Sequence, residues 1–362
     1  MPICLNPGSS SHELLKSTKA DRGQSRVEFR ESSARCLDIG LLNNMPDGAL
    51  HSTERQFCTL LGAAAGGTVV RLSLYALQEV PRSDSGRRHI GRFYSGVEEL
   101  RNRHLDGLIV TGAEPIAANL RDEPYWGSMT SVFDWAEQNT HSTVCSCLAA
   151  HAAVLHMDGI PRRRLGDKCF GLFECATVSH HQLTAGIPEP PVMPHSRWND
   201  LPEKALLDSG YRILMRSKEA GVDTFVKQNK SLLIFFQGHP EYEANTLMLE
   251  YRRDVGRYLR HERETYPLMP KSYFDQDAVD ALTAAQDRAI RDRREEALAD
   301  FPTTLAARNL DAVWCSAAVG IYENWLAYLC AQKERRLQKS TGRRAFATAR
   351  EVSLSRRSAA AR

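Results

Sequence analysis

The stretch STVCSCLAAHAAVL, residues 142–155, decides the fold that this sequence predicts. Its first half, STVCS, is short, apolar and β-branched, which is typical of a buried strand. Its second half, LAAHAAVL, consists mostly of small apolar residues and begins a helical pattern. A strand that runs directly into a helix is the unit of a parallel α/β sheet, in which reactive groups lie just beyond the carboxyl ends of strands.

The rest of the chain repeats this alternation of strand and helix. Strands are indicated at residues 36–42, 68–75, 106–115, 211–217, 223–230 and 231–238. Helices are indicated at residues 52–65, with Ser52 or Thr53 as N-cap, and at 125–139, 242–262, 275–301 and 312–332. The last three strands are separated by short polar breaks, which predict hairpins or a mixed sheet edge. We therefore predict an α/β fold: a mostly parallel sheet flanked by helices, with added C-terminal helices.

Composition limits the class of protein. The 362 residues are 42% hydrophobic and 25% charged, and a net charge of +3 is too small to indicate a nucleic-acid partner. No apolar run approaches the roughly 20 residues that a membrane helix needs, and no signal peptide is recognisable. Nine cysteines without a CxxC pair indicate reduced thiols rather than zinc or disulfides. These features predict a cytoplasmic protein that binds neither nucleic acid nor membrane.

The predicted domain organisation has three parts. Residues 1–35 are polar and aperiodic, which predicts a disordered leader. Residues 36–332 form one catalytic domain. Residues 333–362 are basic and rich in Ser, Ala and Arg, which predicts a disordered tail.

Two cysteines compete for the role of nucleophile. Cys145 lies inside the predicted strand, whereas Cys147 is the last residue before the helix. The partial positive charge of a helix N-terminus favours a thiolate at the second position, and its N–H groups can stabilise an oxyanion. Position therefore favours Cys147, although both thiols could instead be small core side chains.

A cysteine nucleophile needs a base, and the base needs a partner that orients it. The segment LLIFFQGHPEYE, residues 232–243, is an apolar strand that ends at Gly238 and is followed by His239 and Glu241. The pattern predicts a Cys–His–Glu triad. The alternative is a histidine and a glutamate in a surface turn.

These motifs together resemble a known family, the MetA-type homoserine O-acyltransferases of methionine biosynthesis (homoserine O-succinyltransferases). The matching stretches are LLNNMP (41–46), TERQF (53–57), DGLIVTGA (106–113), PHSR (194–197), GHPEY (238–242) and NWL (324–326). The resemblance implies a class I glutamine amidotransferase-like (flavodoxin-like) fold. It also implies an enzyme that moves an acyl group from acyl-CoA to the hydroxyl of L-homoserine, without a bound cofactor and as a homodimer.

Residue roles follow from the same resemblance. It makes Cys147 the acyl-thioester residue, His239 the proton acceptor and Glu241 its acidic partner. It makes three residues substrate-binding: Lys168, Ser196 and Arg253. Two alternatives stay open, an O-acyltransferase for another hydroxyl amino acid such as serine, and an amidotransferase-like module without acyltransferase activity.

The sequence also departs from the family pattern. Asp47 and Gly48 stand where the family often has basic residues. In the family, a residue shortly after TGA selects the acyl group, and counting places Ile116 there with Glu114 nearby. A bulky Ile116 and an anionic Glu114 would both disfavour a succinyl chain. They predict a mild preference for acetyl-CoA over succinyl-CoA.

Two weaker signals concern anions and metals. The basic segment IPRRRLGDK, residues 160–168, could contact the phosphates of coenzyme A or could be a solvated loop. The pair His180 and His181 has no carboxylate or cysteine at ligand spacing, so the sequence predicts no metal site.

Overall fold

The structure, a computed structural model, describes residues 3–5 and 34–359, with side chains described at Ile3 and from residue 34 to 339. The strands are β1 (Ile3–Leu5), β2 (Cys36–Leu42), β3 (Val69–Tyr75), β4 (Gly107–Val110), β5 (Ser142–Ser146), β6 (Arg163–Glu174), β7 (Ala176–Thr177), β8 (Val192–Asp200), β9 (Arg212–Ser217), β10 (Gly221–Gln228) and β11 (Leu232–Phe236). The α-helices are α1 (Asp47–Ala64), α2 (Asp84–Phe93), α3 (Val97–Arg101), α4 (Trp126–Asn139), α5 (Leu148–Asp158), α6 (Glu203–Asp208), α7 (Thr246–Leu259), α8 (Gln276–Arg291), α9 (Thr303–Ala306) and α10 (Cys315–Ala359).

The central sheet has the strand order β1-β3-β2-β4-β5-β11-β10-β9-β7. The first six strands in this order, from β1 to β11, pair in parallel with their neighbours. The last three, β10, β9 and β7, continue the sheet with antiparallel pairing. The predicted α/β fold, with a mostly parallel sheet and a mixed edge, is confirmed. In the pairing of β5 with β11, Ser146 lies opposite Phe236. The segments that follow these two strands therefore leave the sheet side by side.

Burial explains why the parallel strands read as continuous apolar runs. Every residue of β4, β5 and β11 is buried, since helices cover both faces of the sheet. Helix α10 packs on one face, where the indole N–H of Trp325 donates to the Ser142 hydroxyl of β5 at 3.0 Å. The predicted return of the C-terminal helix to the body of the protein is thus confirmed. None of the described helices has the length and apolar character needed to cross a bilayer.

Three predicted boundaries were wrong. Helix α1 begins at Asp47 instead of residue 52, and Pro46, not Ser52 or Thr53, is its N-cap. The predicted helix over 275–301 ends at Arg291 and is followed by a 3₁₀ turn, Glu295–Asp300. The basic segment 160–168 is not all loop, because β6 begins at Arg163 and pairs with β8 in a separate two-stranded sheet. The first half of β6 is mostly exposed, so it lacks the apolar alternation that marks a strand.

Parts of the predicted leader and tail are folded in the structure. Ile3–Leu5 pair with β3, and Ile3 is buried in the core; most of the predicted leader, residues 6–33, lies outside the described residues. Helix α10 runs past the predicted boundary at residue 333. Lys333 itself is buried and contacts Asp106. The predicted boundary at residue 333 thus falls inside α10, and the division of the chain into leader, domain and tail stays a prediction.

We expect a chain that ends at Gln338 to keep its activity and its free energy of unfolding, because Lys333 and Arg336, which contact Asp106, are retained. A chain that ends at Gln332 lacks both cations and should unfold at a markedly lower temperature. Thermal unfolding of the two truncated chains beside the full chain measures this. A large loss of melting temperature in the longer truncation would contradict the prediction.

Candidate active site

Cys147 lies on a strained turn between β5 and α5. It is the N-cap of α5 and has φ of 52° and ψ of −110°, a left-handed conformation that is costly for a residue with a side chain. Its N–H donates to the Phe236 carbonyl of β11 at 2.8 Å, which holds the turn in place. A Cβ on Gly112 would lie 2.7 Å from the Cβ of Leu148, so only glycine lets the loop after β4 approach the turn. Such strand-to-helix elbows expose a nucleophile above the sheet.

The two cysteines have opposite environments. Cys147 is half-buried at the elbow, whereas Cys145 is fully buried inside β5 among apolar neighbours. Burial raises the pKa of the Cys145 thiol, which keeps it protonated and unreactive. The structure therefore places the Cys145 thiol in the core and the Cys147 thiol at the carboxyl end of β5, as the sequence predicts.

His239 and Glu241 lie on the segment that follows β11, beside this elbow. The imidazole Nδ1 of His239 donates to Glu241 Oε1 at 2.8 Å, and the backbone N–H of His239 donates to the Pro194 carbonyl at 2.8 Å. The imidazole stacks on the ring of Tyr242 at 4.2 Å between centroids. Because Nδ1 is engaged with Glu241, Nε2 is the ring nitrogen that faces Cys147.

The charges around His239 favour its protonated form. Burial opposes a charge there, but Cys147 and Glu241, which both contact the imidazole, outweigh it and raise the pKa of His239 well above its usual range. Cys147 and Glu241 therefore flank an imidazole whose protonated form they favour. The arrangement places a base beside the sulfur, which catalysis by a cysteine nucleophile requires.

We expect Glu241→Gln to lower the pKa of His239, because it removes one of the two charges that raise it. Titration of the histidine ring by ¹⁵N NMR measures the shift directly. Glu243→Gln is the matched control, since Glu243 is two residues away and pairs with Arg55. An unchanged His239 pKa in Glu241→Gln would contradict the assignment of this carboxylate as the partner.

A buried histidine–aspartate pair lies beneath the turn that carries His239. His195 Nε2 and Asp223 Oδ1 are 3.1 Å apart, and both side chains are fully buried. A Cβ on Gly238 would lie 2.5 Å from Asp223 Oδ1 and 3.2 Å from the His195 ring. Glycine at position 238 is thus required for the chain to pass over this pair.

The three predicted substrate-binding residues meet in one cluster. Ser196 on β8 donates to Glu250 of α7, and Lys168 Nζ of β6 lies 3.6 Å from the same carboxylate. Arg253 of α7 donates to Asp254 Oδ1 at 2.9 Å, while Lys168 lies 3.1 Å from Asp254 Oδ2. The structure therefore brings together residues from two strands and a helix, as the resemblance implies.

The cluster is joined to the triad through an aromatic side chain. The hydroxyl of Tyr242, whose ring stacks on His239, donates to Glu250 Oε1 at 2.6 Å. Burial alone would raise the pKa of Glu250, but Lys168 and Arg253 outweigh it and lower that pKa. The cluster thus holds ionised groups of both signs and can receive a ligand with both an ammonium and a carboxylate.

Sequence reasoning missed Glu250, Asp254 and Tyr242. A sequence signal exists for the first two. Glu250 lies three residues before Arg253, so both are on one face of the helix, and Asp254 directly follows Arg253. Tyr242 stands in the GHPEY motif, but its stacking on His239 depends on the turn geometry.

The loop after β4 differs from the expectation for a buried acyl pocket. The Ile116 side chain is 73% exposed, and Glu114 forms an ion pair with Arg257 of α7 at 3.0 Å. The carboxylate of Glu123 fixes the loop by accepting from the N–H groups of Ile116 and Ala117, both at 2.8 Å. The predicted preference for acetyl-CoA assumed a pocket-lining Ile116 and an unpaired Glu114, and neither is observed. That these residues select the acyl group stays a prediction.

The basic segment at residues 160–168 is partly committed to internal contacts. Arg163 pairs with Asp200 at 2.8 Å, and the Arg164 guanidinium lies over the Trp198 ring at 4.4 Å. Burial lowers the pKa of Arg162, and its charge interacts with Cys147. Arg162 is thus the member of this segment whose charge acts on the elbow cysteine.

Comparison with known proteins identifies the family. The family model described as homoserine O-succinyltransferase matches residues 2–336. The chain belongs to the homoserine O-succinyltransferase family. Homoserine O-succinyltransferase of Methylorubrum extorquens is 48% identical over 301 residues, 83% of this chain and 89% of the relative. The enzyme of that name from Rhodopseudomonas palustris is 47% identical over 307 residues, 85% of this chain and 92% of the relative.

The chain is accordingly an acyltransferase of methionine biosynthesis, as members of this homoserine O-succinyltransferase family are. Among solved structures, a glutamine amido transferase from Methylobacillus flagellatus has a TM-score of 0.48 and 14% identity, covering 81% of this chain and 95% of that one. This likeness is too weak to add to the fold assignment, which rests on the strand order and the elbow.

Proposed function

We propose that this chain transfers a succinyl group from succinyl-CoA to the hydroxyl of L-homoserine, through a thioester on Cys147. The observation that carries the proposal is the placement of the Cys147 elbow beside His239 and Glu241. The family and the names of the relatives support the substrates.

In the first half-reaction, the Cys147 thiolate attacks the thioester carbonyl of the donor. A bond forms between Sγ and the acyl carbon, and the bond from that carbon to the sulfur of coenzyme A breaks. The departing thiolate takes the proton of the His239 imidazolium. The exchange replaces one thioester by another, so it is nearly balanced in free energy.

Acylation also prepares the base for the second half-reaction. The thiolate charge that raises the pKa of His239 disappears when the thioester forms, so burial then weighs more and the imidazole is neutral. Neutral His239 accepts the hydroxyl proton of homoserine as its oxygen attacks the acyl carbon. The Sγ–carbon bond breaks, and the thiolate is restored beside an imidazolium. Two half-reactions through one covalent intermediate give ping-pong kinetics.

The charged cluster supplies a site for the amino-acid acceptor. The guanidinium of Arg253 suits the homoserine carboxylate in a bidentate contact, and the buried carboxylates of Glu250 and Asp254 suit its ammonium. Lys168 balances the two carboxylates when the acceptor is absent. The hydroxyl of Ser196 adds a polar contact.

A specific contact favours succinyl over acetyl as the acyl group. Arg257 lies one helical turn beyond Arg253 on α7 and pairs with Glu114 on the loop after β4. The distal carboxylate of a succinyl chain can take the place of Glu114 on this guanidinium, whereas an acetyl group has no second carboxylate that could bind it. In this proposal, Arg257 is the cation that receives the distal carboxylate of the longer donor.

Intact-protein mass spectrometry tests the proposal. The full chain is mixed with succinyl-CoA or acetyl-CoA, and the added mass on Cys147 identifies the donor. Addition of homoserine, and separately serine, then shows which acceptor discharges the acyl-enzyme. Absence of any acyl-enzyme with either donor would overturn the proposal, and discharge by serine alone would replace the acceptor.

We expect Arg257→Ala to lower kcat/KM for succinyl-CoA by about tenfold or more, the worth of one charge-assisted hydrogen bond, and to leave acetyl-CoA unaffected. Steady-state kinetics with both donors measures the ratio. Arg260→Ala is the matched control, because Arg260 lies at the end of α7 and pairs with Glu262. Equal losses for both donors would contradict a role for Arg257 in donor selection.

A further inference from the structure

We propose that helices α1 and α2 form a binding site for a divalent transition-metal ion of the Zn²⁺ class, held by His51, Glu54 and His89. One ligand atom from each residue lies within 4.8 Å of the other two. The proposal does not depend on the transfer reaction, because no step of the proposed mechanism involves these three residues.

The strongest feature of this site is a buried carboxylate oxygen without a partner. Glu54 is only 3% exposed, and its Oε1 accepts from the Tyr94 hydroxyl and lies 2.7 Å from His89 Nε2. Its Oε2 is buried and has no hydrogen-bond donor among the residues whose side chains are described. A carboxylate oxygen left without a hydrogen bond in a buried place is costly, and a bound cation removes this cost.

The local geometry suits a tetrahedral ion. His51 and Glu54 are three residues apart on α1 and so share a face of the helix, while His89 reaches them from α2. His51 Nδ1 lies 3.8 Å from Glu54 Oε2, and His89 Nε2 lies 2.7 Å from Oε1. Zinc bonds of about 2.0–2.2 Å place neighbouring ligand atoms about 3.3 Å apart, close to the 3.8 Å that separates His51 Nδ1 from Glu54 Oε2.

A second shell of hydrogen bonds orients the carboxylate. The Tyr94 hydroxyl donates to Glu54 Oε1, and Asn43 Nδ2 donates to the Tyr94 oxygen at 3.0 Å. Oε1 is thereby occupied, and Oε2 remains for the ion. Partners of this kind usually accompany ligating carboxylates and fix their direction.

The donor set identifies the class of metal. Two imidazoles and one carboxylate suit Zn²⁺, Co²⁺ or Ni²⁺, whereas Mg²⁺ and Ca²⁺ prefer an all-oxygen set. His51 is 65% exposed, which gives the ion a path from solvent and leaves a fourth position for water. The two histidines are far apart in the sequence, so ligand spacing alone predicts no site.

A second cluster meets the distance criterion but lacks these features. Cys175, His195 and Asp223 are all buried, and the latter two support the turn at Gly238. No exposed member gives an ion access to them. We therefore assign the site to α1 and α2 alone.

Isothermal titration of the chelator-treated full chain with Zn²⁺ tests the proposal. We expect one site per chain, with affinity at least tenfold weaker in His51→Ala and in His89→Gln. His156→Ala is the matched control, because His156 pairs with Asp134 at 2.8 Å but is in no such three-ligand group. Circular dichroism checks that each variant is folded.

Cobalt distinguishes this site from thiolate binding, since eight cysteines with described side chains are free. We expect the visible spectrum of tetrahedral Co²⁺ without a sulfur-to-cobalt charge-transfer band, and its loss in His51→Ala. Absence of stoichiometric binding, equal binding in His51→Ala and the natural chain, or a thiolate band would each overturn the proposal.

Discussion

Cys147→Ala is expected to abolish the acyl-enzyme and to lower turnover by about 10³-fold or more, the usual cost of losing a covalent nucleophile. Of the eight cysteines whose side chains the structure describes, Cys147 alone combines a position at the strand–helix elbow with contact to the His239 imidazole. No neighbouring group can take over, because Cys145 is fully buried in β5 with a raised pKa.

The matched control is Cys145→Ala, which removes the other thiol of the same stretch. It should keep most of the activity, with a modest loss of stability from the small cavity that it leaves. Acyl-enzyme mass and steady-state kinetics of both variants measure the contrast. A fully active Cys147→Ala enzyme, or an inactive and well-folded Cys145→Ala enzyme, would refute the assignment of the nucleophile.

Lys333→Met is expected to lower the free energy of unfolding by about 3–5 kcal/mol, the cost of breaking one side of a buried ion pair. Lys333 is 5% exposed and its Nζ lies 2.6 Å from Asp106 Oδ2, while it also donates to the Cys36 carbonyl at 2.5 Å. Asp106 is 1% exposed, so removal of the lysine leaves its carboxylate buried and poorly compensated. Urea unfolding measures the change.

Two variants separate this charge effect from simple loss of packing. Lys339→Met, on the exposed part of the same helix, should change the free energy of unfolding by no more than about 0.5 kcal/mol. The double variant with Asp106→Asn should recover much of the loss, because the buried carboxylate, which the more distant Arg336 compensates only in part, is then absent. If Lys333→Met is as stable as the natural chain, the buried pair does not hold α10 to the sheet.

The parts of the fold that were predictable are those encoded by local pattern. The run 142–155 carries a strand and a helix in consecutive residues, and Gly238 with His239 marks the end of another strand. The β6–β8 ribbon was not predictable, because its exposed half lacks apolar alternation and depends on pairing between distant segments. Lys333 was not predictable either, since a lysine in a basic segment is normally solvated.

The residues of the candidate site also fall into those that the sequence predicts and those that it does not. Cys147, His239 and Glu241 each follow a strand, so the topology of a parallel sheet brings them to one edge. The contact of Glu114 with Arg257 joins residues 143 positions apart, and no local pattern encodes it. The exposure of Ile116 likewise depends on how Glu123 folds the loop.

The bond between Lys333 and the carbonyl of Cys36 has a consequence for synthesis on the ribosome. It joins positions 297 residues apart, so the strand made first in the catalytic domain gains this donor only when the last helix has emerged. During synthesis, one face of the central sheet stays exposed, because α10, the helix that packs on it, is not yet made. The face of the sheet that α10 covers is therefore completed only late in synthesis, whatever the stability of the finished enzyme.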